Sequence, residues 1–156
     1  MPALFTTSII LTSIAVGVVL LCLICMYPGQ RRNIAPFDRV KYAHRGLHDE
    51  ILPENSIAAF RAAKEAGFGV ELDIQFTADK QVVVFHDADL SRMCGIDKRV
   101  DSLTYDELQQ YTLKGSNEHI PLLRDVLDEL EATPVLCEIK SYGAVTDCSL
   151  CEAAYP

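Results

Sequence analysis

The chain has 156 residues, the size of one ordinary domain, and 49% of them are apolar. Its net charge of −8 excludes a general nucleic-acid binder, which needs a basic face. The same charge constrains any enzyme acting on phosphate esters: carboxylate clusters attract an anion only where a bound cation inverts the local field.

No side chain from Met1 to Gln30 is charged, and Ser8 to Tyr27 is almost wholly apolar. At about 1.5 Å per residue such a block crosses a hydrocarbon core of about 30 Å, so residues 1–30 are expected to be a transmembrane anchor. A cleaved signal peptide would need a basic n-region and a small-residue cleavage site, and neither is evident. Arg31, Arg32, Arg39 and Lys41 follow the block, while only the α-amino group precedes it. The positive-inside rule then makes this a single-pass membrane protein with residues 40–156 in the cytoplasm. Residues 31–39 read as a basic linker, entered through Pro28 and Gly29.

Strands and helices alternate after the linker. Val40–Ala43 is a short apolar run, expected as a strand ending at His44-Arg45-Gly46. Asn55 is placed to cap a helix that stops at Gly67, the residue type favoured just past a helix end. Val70–Phe76 and Val82–Phe85 are strand-like, with a turn around Ala78-Asp79-Lys80 too short for a parallel crossover, so they form a hairpin. Asp89–Leu113 is polar, with a short helix near Thr104–Gln110 opened by Thr104 and Glu107. Leu123, Val126, Leu127 and Leu130 recur at helical spacing within Pro121–Glu131, and Pro134–Lys140 is a further strand. The pattern is that of an α/β domain. The six cysteines add little: Cys22 and Cys25 are small hydrophobes of the apolar block, and Cys148 and Cys151 are half a zinc site at best, so free thiols are expected.

Period-two geometry makes the strands chemically informative. Glu71 and Asp73 project from one face of Val70–Ile74, opposite Leu72 and Ile74, and Glu138 and Lys140 share a face of Val135–Lys140. Acids on an apolar strand are costly to bury unpaired, and three brought together make an oxygen-rich site for Mg²⁺ or Ca²⁺. The plain alternative is a polar face open to solvent. His44 and His86 each end a strand, and the hairpin brings His86 close to Leu72 and Asp73. Singly, a histidine is more often structural than catalytic; two beside a carboxylate cluster suit acid/base chemistry near neutral pH. Arg45 can fork onto phosphate oxygens and Lys140 can neutralise the same group; otherwise Arg45 pairs with an acid and Lys140 is exposed.

Ala43-His44-Arg45-Gly46, Pro53-Glu54-Asn55-Ser56, Glu71-Leu72-Asp73, Val84-Phe85-His86-Asp87 and Glu138-Ile139-Lys140 stand in one order along the chain. In these five motifs the chain resembles the glycerophosphodiester phosphodiesterase family. The resemblance implies a TIM-type (β/α)8 barrel that hydrolyses glycerophosphodiesters to glycerol 3-phosphate and an alcohol. It implies His44 and His86 as the acid/base pair, and Glu71, Asp73 and Glu138 as ligands of one divalent cation, Mg²⁺ or Ca²⁺. Arg45 and Lys140 become phosphate contacts, with Glu54 bordering the site. Residues 89–117 fall where the family carries an insertion that shapes the substrate region. A barrel needs eight strands and about four are visible here, so residues 40–156 are expected to be the N-terminal half of the domain and the chain a piece of a longer protein. Two other readings remain: lysophospholipase D-like action on membrane lysophospholipids, and a non-catalytic membrane protein using the barrel as a binding module. No protein partner is expected.

Overall fold

The structure, a computed structural model, describes residues 14–23, 37 and 39–142. The chain divides into two units, Met1–Ala35 and Pro36–Pro156. In the first, residues 14–23 are helical. Among the described residues no helix is long and apolar enough to cross a membrane. Most of the expected anchor and linker, and the Cys148–Cys151 pair, lie outside the described residues.

In the second unit β2 (Gly69–Phe76) is the strand on which all others are built. β1 (Tyr42–His44) runs parallel to it, with Tyr42 opposite Gly69 and His44 opposite Glu71. β4 (Val135–Ile139) is also parallel, with Val70 opposite Val135 and Asp73 opposite Glu138. β3 (Val82–Val84) returns antiparallel, with Ile74 opposite Val84. Glu71 pairs with both β1 and β4, and Ile74 with both β3 and β4. A residue has only two edges, so β1 and β3 must share the edge opposite β4. They approach one another along it from opposite directions.

The hairpin follows from its turn. Thr77 N–H donates to the Gln81 carbonyl at 3.0 Å, and Lys80 takes a left-handed φ of 62°. β3 therefore cannot count among the parallel strands of a (β/α)8 barrel. The expected four strands reduce to three parallel ones and an antiparallel excursion.

Two apolar clusters support this sheet. In one, Val70, Leu72 and Ile74 meet Phe60 and Ala63 of α1 (Ile57–Glu65) and Leu123, Val126 and Leu130 of α4 (Leu123–Leu130). Helical spacing put Leu127 on the same stripe, but it lies at its margin and is 42% exposed. The second cluster gathers Val83 and Phe85 with Leu90, Met93, Val100, Leu103, Leu108, Leu113, Ile120 and Leu122. The polar insertion thus owns a core. It carries α2 (Ser91–Cys94), α3 (Tyr105–Leu108) and two 3₁₀ turns. Thr104 and Glu107 form the expected capping box on α3.

The cap of α1 differs from expectation. Ser56, not Asn55, accepts from the Ala59 N–H, while Asn55 is left-handed at φ 55° and turns its side chain towards β2. β1 also begins two residues later than its apolar run, because β2 offers paired residues only from Gly69 onward.

Leu72 is fully buried between the sheet and both helices. Leu72→Ala should cost about 2–5 kcal/mol, and Leu127→Ala should stay within about 0.5 kcal/mol, as read from urea unfolding midpoints.

Candidate active site

The polar face of β2 presents Glu71, Asp73 and Gln75, and period two delivers all three from one strand. Glu138 joins them from β4 because it stands opposite Asp73. One carboxylate oxygen from each of Glu71, Asp73 and Glu138 lies within 4.8 Å of the others. Ligand oxygens about 2.0–2.6 Å from one divalent cation span a similar distance.

Asp73 has no exposure. Arg45 Nε stands 3.1 Å from its Oδ2 and Lys140 Nζ 3.1 Å from its Oδ1. Asn55 Nδ2 donates to Oδ2 at 3.0 Å. The two ion pairs are not aligned as hydrogen bonds, so among the described residues Asp73 Oδ1 is a buried atom with no hydrogen-bond partner. A buried carboxylate among three clustered acids, with one oxygen lacking an aligned donor, fits a cation ligand. Lys140 also donates to Glu138. Its side chain is only 14% exposed, so the reading of Lys140 as a surface residue is excluded.

His44 leaves β1 opposite Glu71, with its Nε2 3.9 Å from Glu71 Oε2. The two next residues, Arg45 and Gly46, are both left-handed, at φ 56° and 83°. This reversal lets Arg45 N–H donate to the Glu71 carbonyl at 2.9 Å and aims the guanidinium across β2. Gly46 is required here: a Cβ would stand 2.8 Å from the Ala59 carbonyl carbon of α1.

His86 follows β3 down the same edge of β2, where Phe85 N–H donates to the Asp73 carbonyl at 2.9 Å. Its Nδ1 donates to Asp87 Oδ1 at 2.7 Å. Gln75 Nε2 fixes this turn by donating to the carbonyls of Phe85 and Asp87 at 2.8 and 2.9 Å.

Glu54, expected only to border the site, is a hub. Its carboxylate accepts from Arg45 Nη1 at 2.9 Å and from Arg92 Nη1 and Nη2 at 2.9 and 2.6 Å. The Arg92 hydrogen bonds, aided by Arg45, overcome burial and bring its carboxyl down to about 2. Arg92 Nε donates to Asp87 Oδ2 at 2.6 Å. Burial opposes the charge of Asp87, but its bonds to Arg92 and His86 outweigh that and hold it below the usual carboxylate range.

The structure brings seven of the eight site residues read from the sequence into direct contact around Asp73 and reaches the eighth, His86, through Asp87 and Arg92. His44 and Lys140 flank the cluster of Glu71, Asp73 and Glu138, and Arg45 and Glu54 link it through Arg92 to Asp87 and His86. Sequence reasoning missed Asn55, Gln75, Asp87 and Arg92. Gln75 was reachable, since it continues the period of Glu71 and Asp73; Arg92 was not, because nothing local aims it at Glu54.

The profile of the Glycerophosphoryl diester phosphodiesterase family matches residues 44–154. The chain belongs to that family. This glycerophosphoryl diester phosphodiesterase family chain is 37% identical over 133 residues to lysophospholipase D GDPD1 of Rattus norvegicus, covering 76% of this chain and 42% of that one. Among solved structures it is similar to a phosphodiesterase of Oleispira antarctica in complex with the product sn-glycerol-3-phosphate. That match has a TM-score of 0.62 and 30% identity, over 68% of this chain and 46% of that one. It is equally similar, at TM-score 0.62 and 33% identity, to the glycerophosphodiester phosphodiesterase of Thermotoga maritima, over 75% of this chain and 50% of that one. The chain thus spans about half the length or less of the relatives it matches. The fold is the TIM-barrel-like fold of the family, with a mixed sheet where the hairpin joins.

Glu54 titrates at about 2 in the folded chain against an ordinary value of 4.5. A lowered folded value means that its contribution is complete above 4.5 and is lost as pH falls through about 2. Glu54→Gln should therefore flatten the fall in urea midpoint between about pH 5 and 2. An equally steep fall in the variant would contradict the assignment.

Proposed function

We propose that the protein hydrolyses glycerophosphodiesters to glycerol 3-phosphate and an alcohol, using the site around Asp73. The observation that carries this reading is the meeting of three carboxylates within 4.8 Å beside Arg45 and Lys140, between the strand ends that bear His44 and His86. Family membership and the product complex of the Oleispira antarctica relative support the substrate class.

Glu71, Asp73 and Glu138 would hold one divalent cation, Mg²⁺ or Ca²⁺. Bound there, such an ion supplies positive charge to the phosphoryl oxygens. Arg45 holds the phosphate in the same orientation that now faces Asp73, and Lys140 neutralises an adjoining oxygen. One histidine takes a proton from the nucleophile as its oxygen bonds to phosphorus: water gives glycerol 3-phosphate directly, whereas the neighbouring glycerol hydroxyl gives a cyclic phosphate that water then opens. The other gives a proton to the leaving alkoxide, so the P–O bond breaks without releasing a free alkoxide.

A second substrate reading is lysophospholipase D-like cleavage of membrane lysophospholipids. It is favoured by the name of the Rattus norvegicus relative and by the apolar block Ser8–Tyr27 followed by Arg31 and Arg32. The same block supports a single-pass anchor with the enzyme domain on the cytoplasmic side.

In the full-length protein, His44→Ala and His86→Ala should each lower turnover of glycerophosphocholine by about 10²–10⁴-fold. EDTA should abolish turnover, and Mg²⁺ or Ca²⁺ should restore it. Unchanged turnover in either variant would remove the acid/base assignment, and EDTA-resistant activity would remove the ligand assignment. Lysophosphatidylcholine as a competing substrate decides between the two substrate classes.

A further inference from the structure

Arg92 lies in the insertion, on a helix of four residues seated by Leu90 and Met93, which are buried in the second apolar cluster. Three of its nitrogens are committed: Nε to Asp87 Oδ2, and Nη1 and Nη2 to the two oxygens of Glu54. Each acid continues to a residue of the proposed mechanism. The other oxygen of Asp87 accepts from His86 Nδ1, and Glu54 Oε1 also accepts from Arg45 Nη1. Starting from the His86–Asp87 hydrogen bond, charges of alternating sign therefore run from Asp87 through Arg92, Glu54, Arg45 and Asp73 to Lys140.

From this geometry we infer that Arg92 is a positioning residue for both His86 and Arg45, so that the insertion sets the catalytic geometry as well as bordering the substrate region. The inference rests on the acid/base role proposed for His86. An ionised carboxylate only accepts, so Asp87 requires the proton of His86 on Nδ1 and leaves Nε2 as the nitrogen free to take a proton. Asp87 is adjacent in sequence to His86 and could rotate; Arg92 holds its second oxygen and removes that freedom. In the same way Glu54 keeps Arg45 directed across β2 only while its own oxygens are fixed. Lysine cannot substitute, because an ammonium lacks the planar fork that reaches both acids at once.

The test uses full-length protein labelled with ¹⁵N-histidine, comparing wild type with Arg92→Gln, Arg92→Lys and His86→Ala. In wild type the His86 ring should give the Nδ1–H pattern. In both Arg92 variants that pattern should give way to mixed tautomers, with kcat for glycerophosphocholine down about 100-fold. Arg92→Lys retains a cation beside Glu54, so it keeps the test open if Arg92→Gln fails to fold, and circular dichroism reports which variants are folded. Folded Arg92 variants with wild-type His86 signals overturn the inference, whether or not kcat falls, since a structural role alone would leave the tautomer fixed. If His86→Ala retains full turnover, the acid/base reading itself fails; if His86→Ala is inactive while the Arg92 variants match wild type, only the positioning role fails.

Discussion

Asp73 is a fully buried carboxylate on the one strand to which every other strand is bonded. Left alone there, its charge would cost several kcal/mol, and the chain answers with partners from separate segments. Arg45 arrives from the loop after β1, Asn55 from the turn before α1, and Lys140 from the residue after β4. Neutralising one charge thus fixes the ends of both parallel neighbours against β2. The left-handed backbone at Arg45 and Asn55 is strain spent on the same end, since it brings the guanidinium and the amide within reach. Fold and site are for this reason not separable here: Arg45 and Lys140, which help make the burial of Asp73 tolerable, are the residues that would handle phosphate.

That arrangement also accounts for the acidic character of a chain expected to meet an anion. Five carboxylates, Glu54, Glu71, Asp73, Asp87 and Glu138, share the network with three permanent cations, Arg45, Arg92 and Lys140. Histidines aside, the balance is two negative charges, which is the charge one divalent cation would cancel. The distribution is uneven. Glu54 and Asp87 are held by Arg92, whereas Glu71, Asp73 and Glu138 cluster together, with Asp73 Oδ1 lacking an aligned donor among the described residues. With unbalanced negative charge at the proposed ligands, the protein's overall charge of −8 no longer argues against a phosphate ester.

How much of this was legible depended on the distance over which each feature is decided. The faces of β2 follow from period two alone, so Glu71 and Asp73 opposite Leu72 and Ile74 could be read directly. The hairpin follows from its short turn, and the capping box from Thr104 and Glu107. Asn55 misled because its residue type suits an N-cap, and only the neighbouring buried Asp73 shows why Ser56 takes that task. Arg92 and Glu54 are 38 positions apart, so their pairing depends on how the insertion folds back. The insertion itself looked polar because Leu90, Met93, Val100, Leu103 and Leu108 are spread through short turns without a helical or strand period. Its core forms only in three dimensions.

The antiparallel strand explains why such an insertion is needed. β1 carries His44 up one edge of β2 as far as Glu71; β3 enters that edge at Phe76 and carries His86 back towards Asp73. Two strands running in opposite senses on a shared edge thereby bring two histidines to one stretch of chain, which consecutive parallel strands on separate edges would not do. The arrangement has a cost: beyond Val84 the paired ladder ends, and Phe85 N–H makes the last backbone bond to β2 among the described residues. His86 must therefore be held by side chains. Gln75 secures the turn from below by binding the carbonyls on either side of it, and Asp87 secures the ring. Gln75 holds only the carbonyl of Asp87 and leaves its carboxylate to be fixed by another group. That requires a donor from outside the sheet, rigid enough to reach two acids and anchored by its own apolar contacts, and Arg92 on its short buried-faced helix meets each of those demands.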